Sequence, residues 1–61
     1  MKNEKLIKQR EAVGLTQAAV AEKLKCTPSA VNQYENGKRK PSFDVIIKLA
    51  EIYGCTVNDF V

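Results

Sequence analysis

The chain has no histidine and no tryptophan, and its only cysteines are Cys26 and Cys55. Without histidine, two thiols cannot supply the four nitrogen or sulfur ligands of a structural zinc site, so no metal is expected. General acid–base chemistry near neutral pH also loses its commonest side chain. The acids are scattered and the three glycines stand far apart, so there is no glycine-rich phosphate loop. No constellation suits an enzyme, and neither a cofactor nor a small-molecule ligand is expected. No run approaches the roughly 20 apolar residues of a membrane span. The opening MKNEKLIKQRE is charged and has no apolar stretch of the secretory kind. These absences point to a soluble, cytoplasmic protein, in which a disulfide is not expected. Each cysteine follows an expected helix end and reads as a small buried hydrophobe plugging the core.

Sixty-one residues, read as one domain over 1–61, allow only a small core. The 44% apolar fraction is ordinary for a folded domain and argues against disorder. The net charge of +3 is unevenly placed, with nine Lys/Arg against four Asp/Glu in residues 1–40 and one against three in residues 41–61. Such a footprint favours a polyanion partner.

The densest information lies in TQAAVAEKLKCTPSAVNQYENG, residues 16–37. Val20, Ala21 and Leu24 recur at helical spacing after Thr16, which gives a short amphipathic helix over about 17–24. Thr27 and Pro28 start a second helix over about 28–36, the threonine as cap and the proline already fixed near helical φ. Gly37 closes it. On that helix Val31 and Tyr34 share one side, while Ser29, Asn32, Gln33 and Asn36 form a stripe of uncharged hydrogen-bonding groups on another. Asn and Gln can pair with N6 and N7 of adenine, and Ser is a less selective partner. The same stripe also fits a solvated helix surface, although such surfaces usually carry Lys and Glu in i,i+4 pairs.

Gly14-Leu15-Thr16-Gln17, Val20-Ala21, Leu24, Val31, Tyr34-Glu35-Asn36-Gly37 and Pro41-Ser42 together resemble the lambda-repressor and Cro-like helix-turn-helix family, also called the XRE family. The resemblance runs from about Leu6 to Phe60. It implies an all-α domain of four or five helices in which helices 2 and 3 form the helix-turn-helix. It further implies a structural salt bridge between Arg10 and Glu35, which explains an arginine on the apolar side of the first helix with Leu6 and Val13. Gln17 matches a position that hydrogen-bonds a phosphate and steadies the first base-reading residue. Dimerisation through the end of the fourth helix and the segment after it would involve Val57, Phe60 and Val61.

Along the rest of the chain, residues 2–13 form the first helix, which Gly14 ends. The turn after the second helix carries Lys25 where the family usually has glycine, at a position that tends to need left-handed backbone. AEKLKCTPSAV at 21–31 and AEIYGCTVNDF at 50–60 align without gaps, with Lys25 opposite Gly54, so two corners of similar chemistry are expected. Lys38, Arg39 and Lys40, stiffened by Pro41, form the densest charge and suit a phosphate backbone. Ser42 caps a fourth helix over about 43–53, with Phe43, Ile46, Leu49, Ala50 and Tyr53 as core and Ile47 and Ile52 widening the arc. Thr56 caps a last helix over 57–61, with Asp59 imitating a capping box.

The function implied is a sequence-specific DNA-binding transcriptional regulator, a repressor that grips a palindromic operator as a homodimer, at least on DNA. Asn32, Gln33, Ser29 and Pro28 are the expected base readers, with Pro28 able to meet a thymine methyl. Gln17, Thr27, Asn36, Lys38, Arg39 and Lys40 are the expected phosphate contacts. A protein-interaction module of the same fold, such as an antitoxin or anti-repressor partner, is the alternative.

Overall fold

A computed structural model describes residues 2–60 of the chain. Among the described residues the order is α1 (Glu4–Ala12), α2 (Gln17–Leu24), α3 (Pro28–Asn36), α4 (Phe43–Tyr53) and a final 3-10 turn, Val57–Phe60. Each α-helix begins on a polar residue whose side-chain oxygen accepts the amide three residues on: Asn3 from Leu6, Thr16 from Ala19, Thr27 from Ala30 and Ser42 from Val45. Such a cap satisfies one of the free N–H groups of the first turn and contributes about 1 kcal/mol. The first helix is shorter than its sequence pattern suggests, because Asn3 caps it and Val13 already sits past its last turn.

The helix ends share one device. At each, a residue with positive φ turns the chain and the next amide bonds back five residues, the arrangement that closes the last carbonyls of a helix. Gly14, Gly37 and Gly54 fill three of these positions and Lys25, at φ 60°, the fourth. The left-handed backbone expected at Lys25 is therefore present.

Leu6 of α1, Val20 and Ala21 of α2, Val31 of α3, Leu49, Ala50 and Tyr53 of α4, and Phe60 form the buried cluster, so every helix contributes. Leu15, Leu24, Tyr34, Val45, Ile46, Ile52, Cys55 and Val57 pack around it. On α4 the inward stripe is Ile46, Leu49, Ala50 and Tyr53, at i, i+3, i+4 and i+7.

Four core assignments made from the sequence need correction. Phe43 is 69% exposed and Ile47 36%. Phe43 is the first residue of α4, where a helical side chain leans back towards the N-terminus and beyond the helix; Ile47 lies one turn on, along the same outward edge. Val13 is 43% exposed, since it falls on the turn out of α1 rather than within it. Cys26 is exposed while Cys55 is half-buried. Thr27, Pro28 and Ser29, which come after Cys26, are themselves exposed and bring nothing over it. Cys55 is followed by Val57 and Phe60, which pack on the core.

The expected helix over 57–61 is a single 3-10 turn, Val57–Phe60, and Val61 lies outside the described residues. Asp59 Oδ2 accepts from the Thr56 amide at 2.9 Å and from its hydroxyl at 3.2 Å. This is the reciprocal half of a capping box. Among the described residues no helix is long and apolar enough to cross a membrane.

Candidate nucleic-acid interface

Helix α3 stands on the core by Ala30 and Val31, both buried, with Tyr34 half-buried beside them. Pro28, Ser29 and Asn32 face outward and are exposed, while Gln33 and Asn36 are half-buried. The stripe read from the sequence is thus an outer face of the helix.

Glu35 projects from the inner side of α3 and is 3% exposed, the one buried charged residue among those described. A carboxylate this deep needs several partners. Arg10 of α1 supplies two: its Nε donates to Glu35 Oε2 at 2.6 Å and its Nη2 to Oε1 at 3.3 Å. Arg10 Nη1 donates to the carbonyl of Leu15 at 2.9 Å, tying the α1–α2 turn to the same guanidinium. The hydrogen bond to Glu35 raises the pKa of Arg10 further, against the opposing effect of burial. A backbone bond from Asn3 N–H to the Glu35 carbonyl, 2.8 Å, pins the start of α1 to the end of α3. Burial, with the charge of Glu35 second, pushes the Tyr53 phenol up to about 12.

Gln17 also turns inward. Its Nε2 donates to Glu35 Oε1 at 2.9 Å, and its Oε1 accepts from Asn32 Nδ2 at 3.4 Å. Asn32 Oδ1 accepts from Asn36 Nδ2 at 2.6 Å. A continuous chain of hydrogen bonds therefore runs from Arg10 through Glu35 and Gln17 to the outer face of α3. No buried side-chain nitrogen or oxygen among the described residues lacks a partner.

Beyond α3 the amides of Lys38 and Arg39 both donate to the carbonyl of Gln33, at 3.0 and 3.2 Å. The basic loop is therefore anchored to the helix rather than free to swing. Lys38, Arg39 and Lys40 are exposed, and the Arg39 guanidinium lies 5.8 Å from the Tyr34 ring centroid, within cation–π range.

A family model described as helix-turn-helix matches residues 6–60. The chain belongs to the XRE family of lambda-repressor/Cro-like helix-turn-helix domains. That family is one of DNA-binding regulators, generally without enzymatic activity. A protein of Yarrowia lipolytica (strain CLIB 122 / E 150) that carries the name multi-protein-binding factor 1 is similar too, 39% identical over 49 residues, or 80% of this chain and 32% of its own length. The chain thus spans about a third of that curated relative. No solved structure matches the chain significantly.

In this XRE domain, one pair of residues and one set of connections were not legible in the sequence. Lys2 and Lys5, at the start of the chain, line one surface groove together with Arg39 and Lys40, with Glu4 as its single acid, so the basic region draws on both ends of the first forty residues. Only the packing of α1 beside α3 brings them together, and no local pattern foreshadows it. The hydrogen-bond chain that joins Gln17, Asn32 and Asn36 was equally hidden, although all three residues were picked out.

Phe60, expected at a dimer contact, is buried in its own domain, where its ring meets Tyr53 edge-on at 6.1 Å. A four-residue 3-10 turn carries it back over the core beside α4, so its apolar surface is already covered. Val57 is half-buried against the same cluster.

Proposed function

We propose that this XRE domain is a sequence-specific transcriptional regulator, a repressor, that lays α3 in the major groove of double-stranded DNA. The observation that carries the reading is the outer face of α3, a row of uncharged hydrogen-bonding groups followed directly by an anchored, exposed run of three cations. A groove about 12 Å wide admits one such helix. Asn32 and Gln33 are the principal base readers. Ser29 makes a less selective contact, and Pro28 meets a thymine methyl. Lys38, Arg39 and Lys40 contact phosphates, as do Thr27 and Asn36 at the two ends of α3. Gln17 reaches a phosphate with the one side-chain N–H that Glu35 leaves free. Lys2 extends this phosphate-contacting surface. These contacts supply affinity and register, and the bases supply choice.

The regulator acts as a homodimer at least on DNA. Half-sites of a palindromic operator lie about 34–36 Å apart, whereas the domain measures 24 × 22 × 20 Å, so one copy cannot span two. Binding in the cytoplasm, over a promoter, would block polymerase.

Selection of bound sequences from random duplex DNA, with the winner retitrated at two salt concentrations, tests the proposal. The expected result is an inverted repeat with half-sites one helical turn apart and affinity that falls steeply with salt, by a log–log slope near −0.9 per phosphate neutralised. In that site Gln33→Ala removes preference at one base position, by about 1–3 kcal/mol, while Lys38→Ala weakens all sequences alike. No enriched site would refute sequence-specific regulation.

A second reading, a protein-interaction module such as an antitoxin or anti-repressor partner, is favoured by the exposed Phe43 and Ile47, one turn apart on α4. The name of the Yarrowia relative points the same way. Partner binding through such an apolar surface would depend far less on salt.

A further inference from the structure

We infer that Glu35 dictates which way round Asn32 presents its carboxamide to DNA, acting through Gln17, with Asn36 closing the chain of amides from the far side. The inference rests on the reading of α3 as the base-reading helix and names a positioning role within it.

The argument is one of donors and acceptors. A carboxylate paired with a guanidinium only accepts hydrogen bonds, and an arginine never gives up its proton in a protein. The end of Gln17 that meets Glu35 Oε1 at 2.9 Å must therefore be its NH₂ group. Turned the other way, Gln17 would set a carbonyl oxygen against a buried anion. Its own oxygen then faces Asn32 and can only accept, so Asn32 must turn its Nδ2 towards Gln17. The oxygen of Asn32 is left facing Asn36, which must donate, as it does at 2.6 Å. Each amide has two flips, and only one combination matches donor to acceptor at every link. The ion pair thus transmits a polarity from the core to the surface of α3.

Asn32 is left with one N–H and one oxygen lone pair for DNA. Adenine offers one acceptor and one donor in the major groove, N7 and N6–H, which this remainder matches. Guanine offers two acceptors, N7 and O6, and an asparagine can satisfy both only with both of its hydrogens. Gln17 already holds one of them. The arrangement therefore favours adenine over guanine at the base facing Asn32, and it orders the side chain before DNA arrives, which reduces the entropy lost on binding.

The test uses the full chain with Gln17→Met, which keeps the length of the side chain and removes both of its hydrogen bonds. Duplexes carrying adenine or guanine at the Asn32-dependent position, identified as the one whose preference Asn32→Ala abolishes, are titrated with each protein. Wild type should prefer adenine by about tenfold or more, a range typical of one bidentate pair, and Gln17→Met should lose most of that ratio while the preference at the Gln33 position stays. An undiminished ratio in Gln17→Met overturns the inference. Asn36→Asp, near the exposed end of α3, is the second variant. An acceptor there cannot donate to Asn32, so the ratio should collapse again, although the added charge lowers affinity for every duplex. In the free protein the side-chain amide of Asn32 should show slow rotation and slow hydrogen exchange by NMR, and both should quicken in Gln17→Met. If wild type binds no DNA selectively, the function reading fails on its own. The NMR comparison still decides the chain of amides, because equal rotation and exchange rates in the two proteins would overturn it.

Discussion

The corner between α2 and α3 and the corner after α4 start from nearly the same text, Ala-Glu-x-x-x-Cys-Thr, and turn the backbone in the same way. Lys25 sits at φ 60°, ψ 44° and Gly54 at φ 67°, ψ 34°. Cys26 N–H bonds back to Ala21 at 2.9 Å, and Cys55 N–H to Ala50 at 3.0 Å. Past that point they diverge. Thr27 caps a nine-residue helix that Pro28 opens, whereas Thr56 hands its amide and hydroxyl to Asp59 and the chain makes only one 3-10 turn. The first corner lifts a polar face into solvent and is held from below by a buried ion pair. The second folds an aromatic ring into the core. Equal backbone geometry at a turn therefore says little about what the turn is for, which depends on the residues downstream and on the surface that receives them.

The sharpest way to break the second corner is Phe60→Ala. Deleting a buried aromatic ring typically costs about 3–5 kcal/mol, comparable to the whole stability of a domain this small at roughly 0.05–0.15 kcal/mol per residue. Loss of the cooperative thermal transition is the expected outcome; a melting temperature near wild type would show that the ring is dispensable. The first corner breaks through Arg10→Met, which strands Glu35 at a cost of about 3 kcal/mol. Folding and DNA binding should weaken together, and an unchanged melting temperature would sink the structural role of the pair.

Tyr53, packed on Phe60, gives a milder probe by pH. Its pKa is raised from 10.0 to about 12 in the folded state. Between those values the folded chain holds a proton that the unfolded chain has released, so stability falls as pH rises through this window and is unaffected below it. Melting followed from pH 9 upward should show the decline in wild type and a shallower one in Tyr53→Phe, relative to each protein's own value at neutral pH.

Exchanging the turn residues sharpens the comparison further. Lys25→Gly should stabilise by about 1 kcal/mol and Gly54→Lys destabilise by a similar amount, because a side chain in left-handed backbone carries a cost of about 1–2 kcal/mol that glycine avoids, less what glycine loses in chain entropy. A Cβ at Gly54 meets nothing within 4 Å, so the expected loss there is conformational rather than steric. Denaturant midpoints measure both. The smallest contrast is between the thiols: Cys26, exposed, should react with a thiol reagent at once in the native protein, and Cys55, partly buried and with its pKa raised by desolvation, more slowly. Equal rates would contradict the asymmetry of the two corners.

Much of this molecule was legible before any tertiary structure. The caps at Thr27 and Ser42 and the three helix-ending glycines are local: each depends on hydrogen bonds spanning three to five residues, so the residue type and its neighbours suffice, whereas the left-handed Lys25 was expected from the family's glycine at that position and from the alignment with Gly54. The stripe Ser29, Asn32, Gln33, Asn36 comes from helical period alone. The contact between Arg10 and Glu35 was expected from family resemblance, because its partners are 25 residues apart and no periodicity joins them.

Tertiary structure decided the rest. Phe43 and Ile47 satisfy the apolar period of α4 yet face outward, because a period defines a stripe and not where a neighbouring element stops covering it. Phe60 packs on its own core, and only the path of the chain after Thr56 reveals that it turns back. Lys2 and Lys5 join Arg39 and Lys40 by the same logic, across two packed helices. The direction of the Gln17–Asn32–Asn36 amides belongs here as well. An amide side chain has two nearly equivalent ends, and what distinguishes them in this protein is a buried carboxylate that only folding places beneath them.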